Sequence, residues 1–227
     1  MAAVKISEPA AARFAVFDLD RTLLPGSSLG LFARALADAG LLRRWDVVRS
    51  AVHQGVFASW GLGPRTLERI CAELVDAARG HLQADVVAVA ERVAPSIVGR
   101  VFQGAQWLLD QHADRGDGLV LLSAGPQELV EAVARALGIP TALGTVAEVE
   151  DGRYTGRLVG PFCHGDGKLT RLRAVLGPVE LLHTSAYGDA ASDLPVLRAV
   201  ARPVAVNPDR GLTTAAEAHR WPILRLG

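Results

Sequence analysis

Two carboxylates stand directly after a short apolar run near the start of the chain. Residues 14–17 read Phe-Ala-Val-Phe, and Asp18 and Asp20 follow with one leucine between them. Such a run is typical of a buried parallel strand, whose carboxyl end lies at the ligand-binding edge of an open α/β sheet. Two acids that close together repel each other, and bound Mg²⁺ relieves the repulsion. The pair predicts a magnesium or phosphoryl site; the alternative is a turn or helix cap, where Asp is also common.

A second apolar run ends in a small hydroxyl residue. Residues 119–122 predict another buried strand, and Ser123, Ala124 and Gly125 follow it just before a helix that begins near Pro126. A hydroxyl and free backbone N–H groups at a helix N-terminus bind anions, although Ser is also an ordinary helix cap. We therefore predict that residues 123–125 bind phosphate.

Three more residues fit the same chemistry. Lys168 is the only lysine beyond Lys5, and it lies between glycine-rich residues and the start of a helix, which favours phosphate neutralisation over a surface role. Asp189 and Asp193 follow a further candidate strand. Their spacing suits one acid on a cation and another that orients the first, whereas helix capping is the alternative.

Composition restricts the function classes. The chain has 227 residues, is half hydrophobic and has a formal net charge of zero, which argues against general affinity for nucleic acid or anionic membranes. Cys71 and Cys163 have no metal-ligand or disulfide spacing. The first residues lack the apolar core of a signal peptide, and no apolar run is long enough to span a bilayer. We expect a cytoplasmic protein without stable membrane insertion.

The elements that position these residues alternate between strand and helix. Strands are predicted at residues 14–17, 119–122, 181–187, 203–206 and 223–226, and helices at 126–137 and 168–176. This alternation predicts a doubly wound, Rossmann-like parallel sheet of the α/β class.

Two segments interrupt the alternation. Residues 25–99 show helical signals only, with helices at 28–39, 64–80 and 82–93, and this predicts an all-helical cap inserted into a core of residues 1–24 and 100–227. The alternative is a helical layer of a single domain. Residues 145–159 predict a β-hairpin with an Asp151-Gly152 turn.

The order of these motifs along the chain resembles the haloacid dehalogenase superfamily of phosphohydrolases, and the resemblance covers nearly the whole chain. Asp18-Leu-Asp-Arg-Thr matches the first motif, Ser123 the second, Lys168 the third and residues 188–193 the fourth. The insertion after the first motif looks like a C1 cap. Residues 150–157, 160–168 and 204–210 resemble subfamily IB, which is phosphoserine-phosphatase-like.

The resemblance implies a Mg²⁺-dependent phosphomonoesterase. Asp18 would be the nucleophile that forms an aspartyl-phosphate, and Asp20 would be the general acid and then the base that activates water. Mg²⁺ would be held by Asp18 and Asp189, by the backbone carbonyl of Asp20 and with support from Asp193.

The resemblance also implies the groups around the phosphate. Ser123 and Lys168 would hold the phosphoryl oxygens together with the N–H groups of Ala124 and Gly125. Substrate contacts are predicted from Thr22, which also positions the loop, and from Asn207.

The leaving group is less well defined. Phosphoserine phosphatases typically carry an acid just after the first motif, but residues 25–30 contain none, so the predicted substrate is a small phosphorylated metabolite of unspecified kind. His53 and Trp60 could line a cap pocket or simply pack between helices. Two alternatives remain: a phosphotransferase or phosphomutase with the same intermediate, or a catalytically silent binding protein. The oligomeric state is undefined, and a homodimer is one option.

Overall fold

The computed structural model describes residues 13–42 and 75–227, and its centre is a parallel sheet of six strands. The strand order is β3-β2-β1-β6-β7-β8, and two further strands form a separate antiparallel hairpin. The strands are β1 (Phe14–Phe17), β2 (Gly118–Pro126), β3 (Thr141–Thr145), β4 (Ala147–Glu150), β5 (Arg153–Leu158), β6 (Ser185–Gly188), β7 (Arg202–Val206) and β8 (Ile223–Leu224).

Helices cover both faces of the sheet. They are α1 (Ser28–Asp38), α2 (Gln83–Val98), α3 (Gln103–Asp114), α4 (Gln127–Ala136), α5 (Asp166–Leu181), α6 (Leu194–Leu197) and α7 (Arg210–His219), with a 3₁₀ turn at Ala191–Asp193.

Successive residues of the central strands point into two different cores. Ala15 and Phe17 belong to the core under α2, α3 and α4, whereas Val16 packs with residues of α5, α6 and α7. Strand β2 alternates in the same way, which explains its uninterrupted apolar sequence. The prediction of a doubly wound α/β sheet is confirmed.

Most element boundaries lie close to the predicted ones. The larger differences are that α2 continues to Val98, that β2 continues to Pro126, and that β6 begins only at Ser185 because a helical stretch after Gly177 runs to Leu181. Gly177 has φ 75° and ψ 169°, which is not helical, so the first helix of α5 ends at this glycine as predicted and a short second helical stretch follows it.

Helix α2, at the C-terminal end of the predicted insertion, is part of the main core. Helix α2 packs against α4, and its apolar face joins the core cluster that contains Phe17. For α2, these contacts favour the alternative that the helix is a layer of the core domain. The proposed cap boundaries at 25–99 remain a prediction, since residues 43–74, including His53, Trp60 and most of the predicted helix 64–80, lie outside the described residues.

The predicted hairpin is present. Asp151 and Gly152 have φ values of 50° and 75°, the left-handed backbone that a tight two-residue turn between β4 and β5 requires. None of the described helices combines the length and apolar character needed to cross a membrane.

A buried hydrogen-bonded network ties α3 to the sheet beside the strand ends. His112 Nδ1 lies 2.7 Å from Asp117 Oδ2, and His112 Nε2 lies 2.8 Å from the hydroxyl of Tyr187. The Tyr187 ring stacks on Phe17, with the two ring centroids 4.6 Å apart. The residues that follow Phe17 and Gly188 therefore leave the sheet from a rigid base.

We expect Tyr187→Phe to lower the free energy of unfolding by about 1–3 kcal/mol, because it leaves a buried ring nitrogen of His112 without its partner. Tyr154→Phe is the matched control, since Tyr154 is also buried but its hydroxyl has no hydrogen-bond partner among the described residues. Urea unfolding of both variants provides the measurement. Equal effects of the two substitutions would show that the Tyr187 hydroxyl contributes nothing specific.

Candidate active site

The sheet topology brings the predicted residues to one edge. Strand β1 lies between β2 and β6, so Asp18 and Asp189 follow the carboxyl ends of two neighbouring strands, and Ser123 lies in the last part of β2, where the register with β3 shifts. The N–H of Asp18 donates to the carbonyl of Tyr187 at 3.0 Å, which continues the β1–β6 pairing to the start of the site.

Lys168 joins two of the acids. Its Nζ lies 2.5 Å from Asp18 Oδ1 and 2.7 Å from Asp193 Oδ1, and the residue is only 3% exposed. Burial disfavours the ammonium, but the two carboxylates outweigh burial and raise the pKa of Lys168 above its usual value. A permanently charged lysine therefore lies beside the predicted nucleophile.

Asp193 uses both of its oxygens. Oδ1 contacts Lys168, and Oδ2 accepts hydrogen bonds of 3.1 Å from the backbone N–H groups of Asp189 and Ala190. This approach needs the glycine at 188, because a Cβ there would lie 2.7 Å from Asp193 Oδ2. The predicted orienting function of Asp193 is consistent with these contacts.

Three carboxylates converge closely enough to share a metal ion. Asp18, Asp189 and Asp193 are all buried and each offers an oxygen within 4.8 Å of the others. Burial raises the pKa of Asp189 to about 8, and the negative charge of the neighbouring Asp18 adds to this shift. Burial also raises the pKa of Asp18 to about 7, against the opposing effect of Lys168. Burial thus disfavours the ionised form of both acids, and a nearby cation would favour it.

Asp20 lies apart from that trio. Its Oδ1 accepts a 2.7 Å hydrogen bond from the N–H of Ser28, the first residue of α1. Burial raises the pKa of Asp20, although the hydrogen bond from Ser28 partly opposes this. The Asp20 side chain is thus held by a helix N-terminus and is biased towards its protonated form.

The Ser123 loop is also buried and fixed. Ser123 is 2% exposed, and its Oγ accepts a 3.2 Å hydrogen bond from the N–H of Gly125. The carbonyl of Ala124 accepts from Thr145 Oγ1 at 2.8 Å. Helix α4 begins at Gln127, one residue later than expected, and the Gln127 side chain bonds the backbone of β3.

The two predicted substrate contacts occupy different surroundings. Thr22 is 1% exposed, and its hydroxyl has no hydrogen-bond partner within residues 13–42 and 75–227. The side-chain amide of Asn207 makes two hydrogen bonds to the backbone of Leu226, so it holds the segment after β8 in place.

Arg21 is a residue of the site to which the sequence patterns assigned no function. Arg21 Nε lies 2.9 Å from Asp189 Oδ2, and Arg21 has φ 63°, which is uncommon for a residue other than glycine. Its adjacency to Asp20 was the available signal. When all are ionised, the three carboxylates of the trio carry one more negative charge than Lys168 and Arg21 neutralise, which favours a bound cation.

The arrangement matches a known family. A family model described as haloacid dehalogenase-like hydrolase matches residues 15–198. The chain belongs to this family. The match spans every acid of the site as well as Ser123 and Lys168, so the resemblance drawn from the motifs is confirmed.

Several curated relatives of this haloacid dehalogenase-like hydrolase are named as phosphatases. A probable phosphatase of Mycobacterium tuberculosis is 37% identical over 95% of this chain and 76% of that protein. Phosphoserine phosphatase SerB1 of the same species is 36% identical over 92% and 69%. Histidinol-phosphatase of Neisseria meningitidis is 30% identical over 92% and 97%. The chain is accordingly a phosphatase of the phosphoserine-phosphatase-like group.

A solved structure shows the same fold. A protein of unknown function from Bordetella pertussis is 29% identical and superimposes with a TM-score of 0.81 over 95% of this chain and 99% of that one. The likeness extends across the sheet and both helical layers.

We expect Gly167→Ala to displace Lys168 and to reduce phosphatase activity strongly. An added Cβ would lie 1.8 Å from the carbonyl oxygen of Phe162, which is backbone and cannot rotate away. The free energy of unfolding should fall by about 1–3 kcal/mol. The control is Gly99→Ala, where the nearest atom to the new Cβ is 3.4 Å away and φ is −61°. Wild-type turnover in Gly167→Ala would contradict the tight placement of Lys168.

Proposed function

We propose that the chain is a Mg²⁺-dependent phosphomonoesterase that acts on a small organic phosphate through an aspartyl-phosphate on Asp18. The observation that supports this most strongly is the buried contact between Lys168 and Asp18 inside the acid trio. It places a fixed cation beside a carboxylate at a sheet edge where ligands bind.

Asp18 acts as the nucleophile. Its carboxylate oxygen forms a bond to phosphorus while the bond from phosphorus to the leaving oxygen breaks, and the electron pair departs with that oxygen. Asp20 donates a proton to the departing alkoxide and then removes one from the water that cleaves the aspartyl-phosphate. The raised pKa of Asp20 supports its function as an acid in the first step.

The acid trio supplies a fitting site for Mg²⁺. Asp18, Asp189 and Asp193 would hold the ion together with the backbone carbonyl of Asp20, and the excess of negative charge at the trio favours a cation there. When bound, Mg²⁺ supplies neutralising charge to the phosphoryl oxygens. Because both oxygens of Asp193 already have partners, we assign it mainly to orienting Asp189 and Lys168.

The phosphate is held by the protein's own donors. Lys168 neutralises one oxygen, and the Ser123 hydroxyl and the N–H groups of Ala124 and Gly125 bind the others. The Gly125 N–H now donates to Ser123 Oγ, so a bound phosphate would take the place of that short-range contact.

The relatives favour a small metabolite as substrate. One is named for phosphoserine and another for histidinol phosphate, two phosphomonoesters with different leaving groups. We propose that residues 25–99 select the leaving group and that Thr22 positions the first loop. A cytoplasmic location and a homodimer remain proposals.

Asp18→Asn should reduce turnover at least about a thousand-fold while the fold is retained, because an amide is not a nucleophile for phosphorus. The measurement is a screen of small phosphomonoesters, including phosphoserine and histidinol phosphate, with Mg²⁺ or with EDTA. Asp114→Asn, an exposed acid at the end of α3, is the control. Near-normal hydrolysis by Asp18→Asn, or full wild-type activity in EDTA, would contradict the proposed function.

A further inference from the structure

Arg21 holds a carboxylate that the proposed metal would also need. The Arg21 guanidinium lies 2.9 Å from Asp189 Oδ2, and Asp189 is buried whereas the Arg21 side chain is half exposed. Unlike Lys168, this cation approaches the acid trio from the solvent side. It therefore has a route by which to leave.

The backbone at Arg21 is unusual. A φ of 63° is costly for a long side chain, and it persists only where surrounding contacts fix the backbone. Arg21 lies between Asp20, which the start of α1 anchors, and Thr22, which is buried. The arginine is thus presented to Asp189 from a loop that is fixed on both sides.

Two cations compete for the same oxygen. A Mg²⁺ ion bound to Asp189 would lie next to the Arg21 guanidinium. The doubly charged ion and the guanidinium would repel each other. Arg21 can give way to the ion because its side chain can extend into water, whereas the buried Lys168 cannot.

We propose that Arg21 is an internal counter-ion that neutralises Asp189 in the metal-free enzyme and is displaced when Mg²⁺ binds. This inference rests on the proposed function, because it takes Asp189 as a metal ligand. It makes Arg21 a determinant of metal affinity: the wild-type protein binds Mg²⁺ more weakly than the acid trio alone would.

Isothermal titration of the metal-free full chain with MgCl₂ tests the exchange. Arg21→Gln, which removes the charge and leaves a shorter polar side chain, should bind Mg²⁺ roughly three- to ten-fold more tightly than wild type. Arg21→Lys should remain closer to wild type. Arg135→Gln is the matched control, since it breaks an exposed ion pair with Glu91 that is not part of the site.

Thermal unfolding adds a second readout. Mg²⁺ at a fixed concentration should raise the melting temperature of Arg21→Gln more than that of wild type, because a ligand that binds the folded state more tightly stabilises it more. If the wild type is active and binds Mg²⁺ but Arg21→Gln binds the ion no more tightly, the proposed displacement of Arg21 is overturned. The proposed function would then still stand. A wild type that neither binds Mg²⁺ nor hydrolyses phosphomonoesters would overturn the proposed function as well.

Discussion

The site depends on a lysine that is buried between two carboxylates. Removing Lys168, Asp18 and Asp193 from water is costly, and their mutual attraction offsets this only when the geometry is held closely. Several local features provide that geometry. Residues 162–167 pack so tightly before Lys168 that only glycine fits at 167, and the loop after β6 approaches Asp193 so closely that only glycine fits at 188.

The pairing does not neutralise the site completely. Asp189 and Asp20 lie outside the contacts of Lys168, and burial raises the pKa values of both. This imbalance gives the acids different functions. Asp20, which a helix N-terminus holds apart from the trio, is suited to carry a proton, whereas Asp189 attracts a cation, either Arg21 or a metal ion.

Sequence patterns predicted the sheet and the acids but not the contacts between distant residues. The apolar run that ends at Asp18 marks a strand end directly, because a buried parallel strand has a recognisable composition. Strand β2 continues past Ser123 to Pro126, and β6 before Asp189 has no apolar run, so the boundaries of these two strands were predicted less well. The Tyr187–His112 pair joins residues 75 positions apart, and the Arg21–Asp189 pair joins two loops; neither has a local signal. The helix end at Gly177 was predictable, because glycine readily adopts the left-handed backbone that ends a helix. The leaving group was not predictable, since the motifs describe only the phosphoryl half of the substrate.

The central claim is that the phosphoryl group passes through Asp18. Asp20→Asn mixed with p-nitrophenyl phosphate and Mg²⁺ offers the most direct test, because this leaving group needs little protonation while water activation is impaired. After acid quenching, peptide mass spectrometry should locate the phosphate on Asp18, and the modification should disappear in the Asp18→Asn, Asp20→Asn double variant. Phosphate on a different residue, or turnover without any phosphorylated protein, would contradict the account.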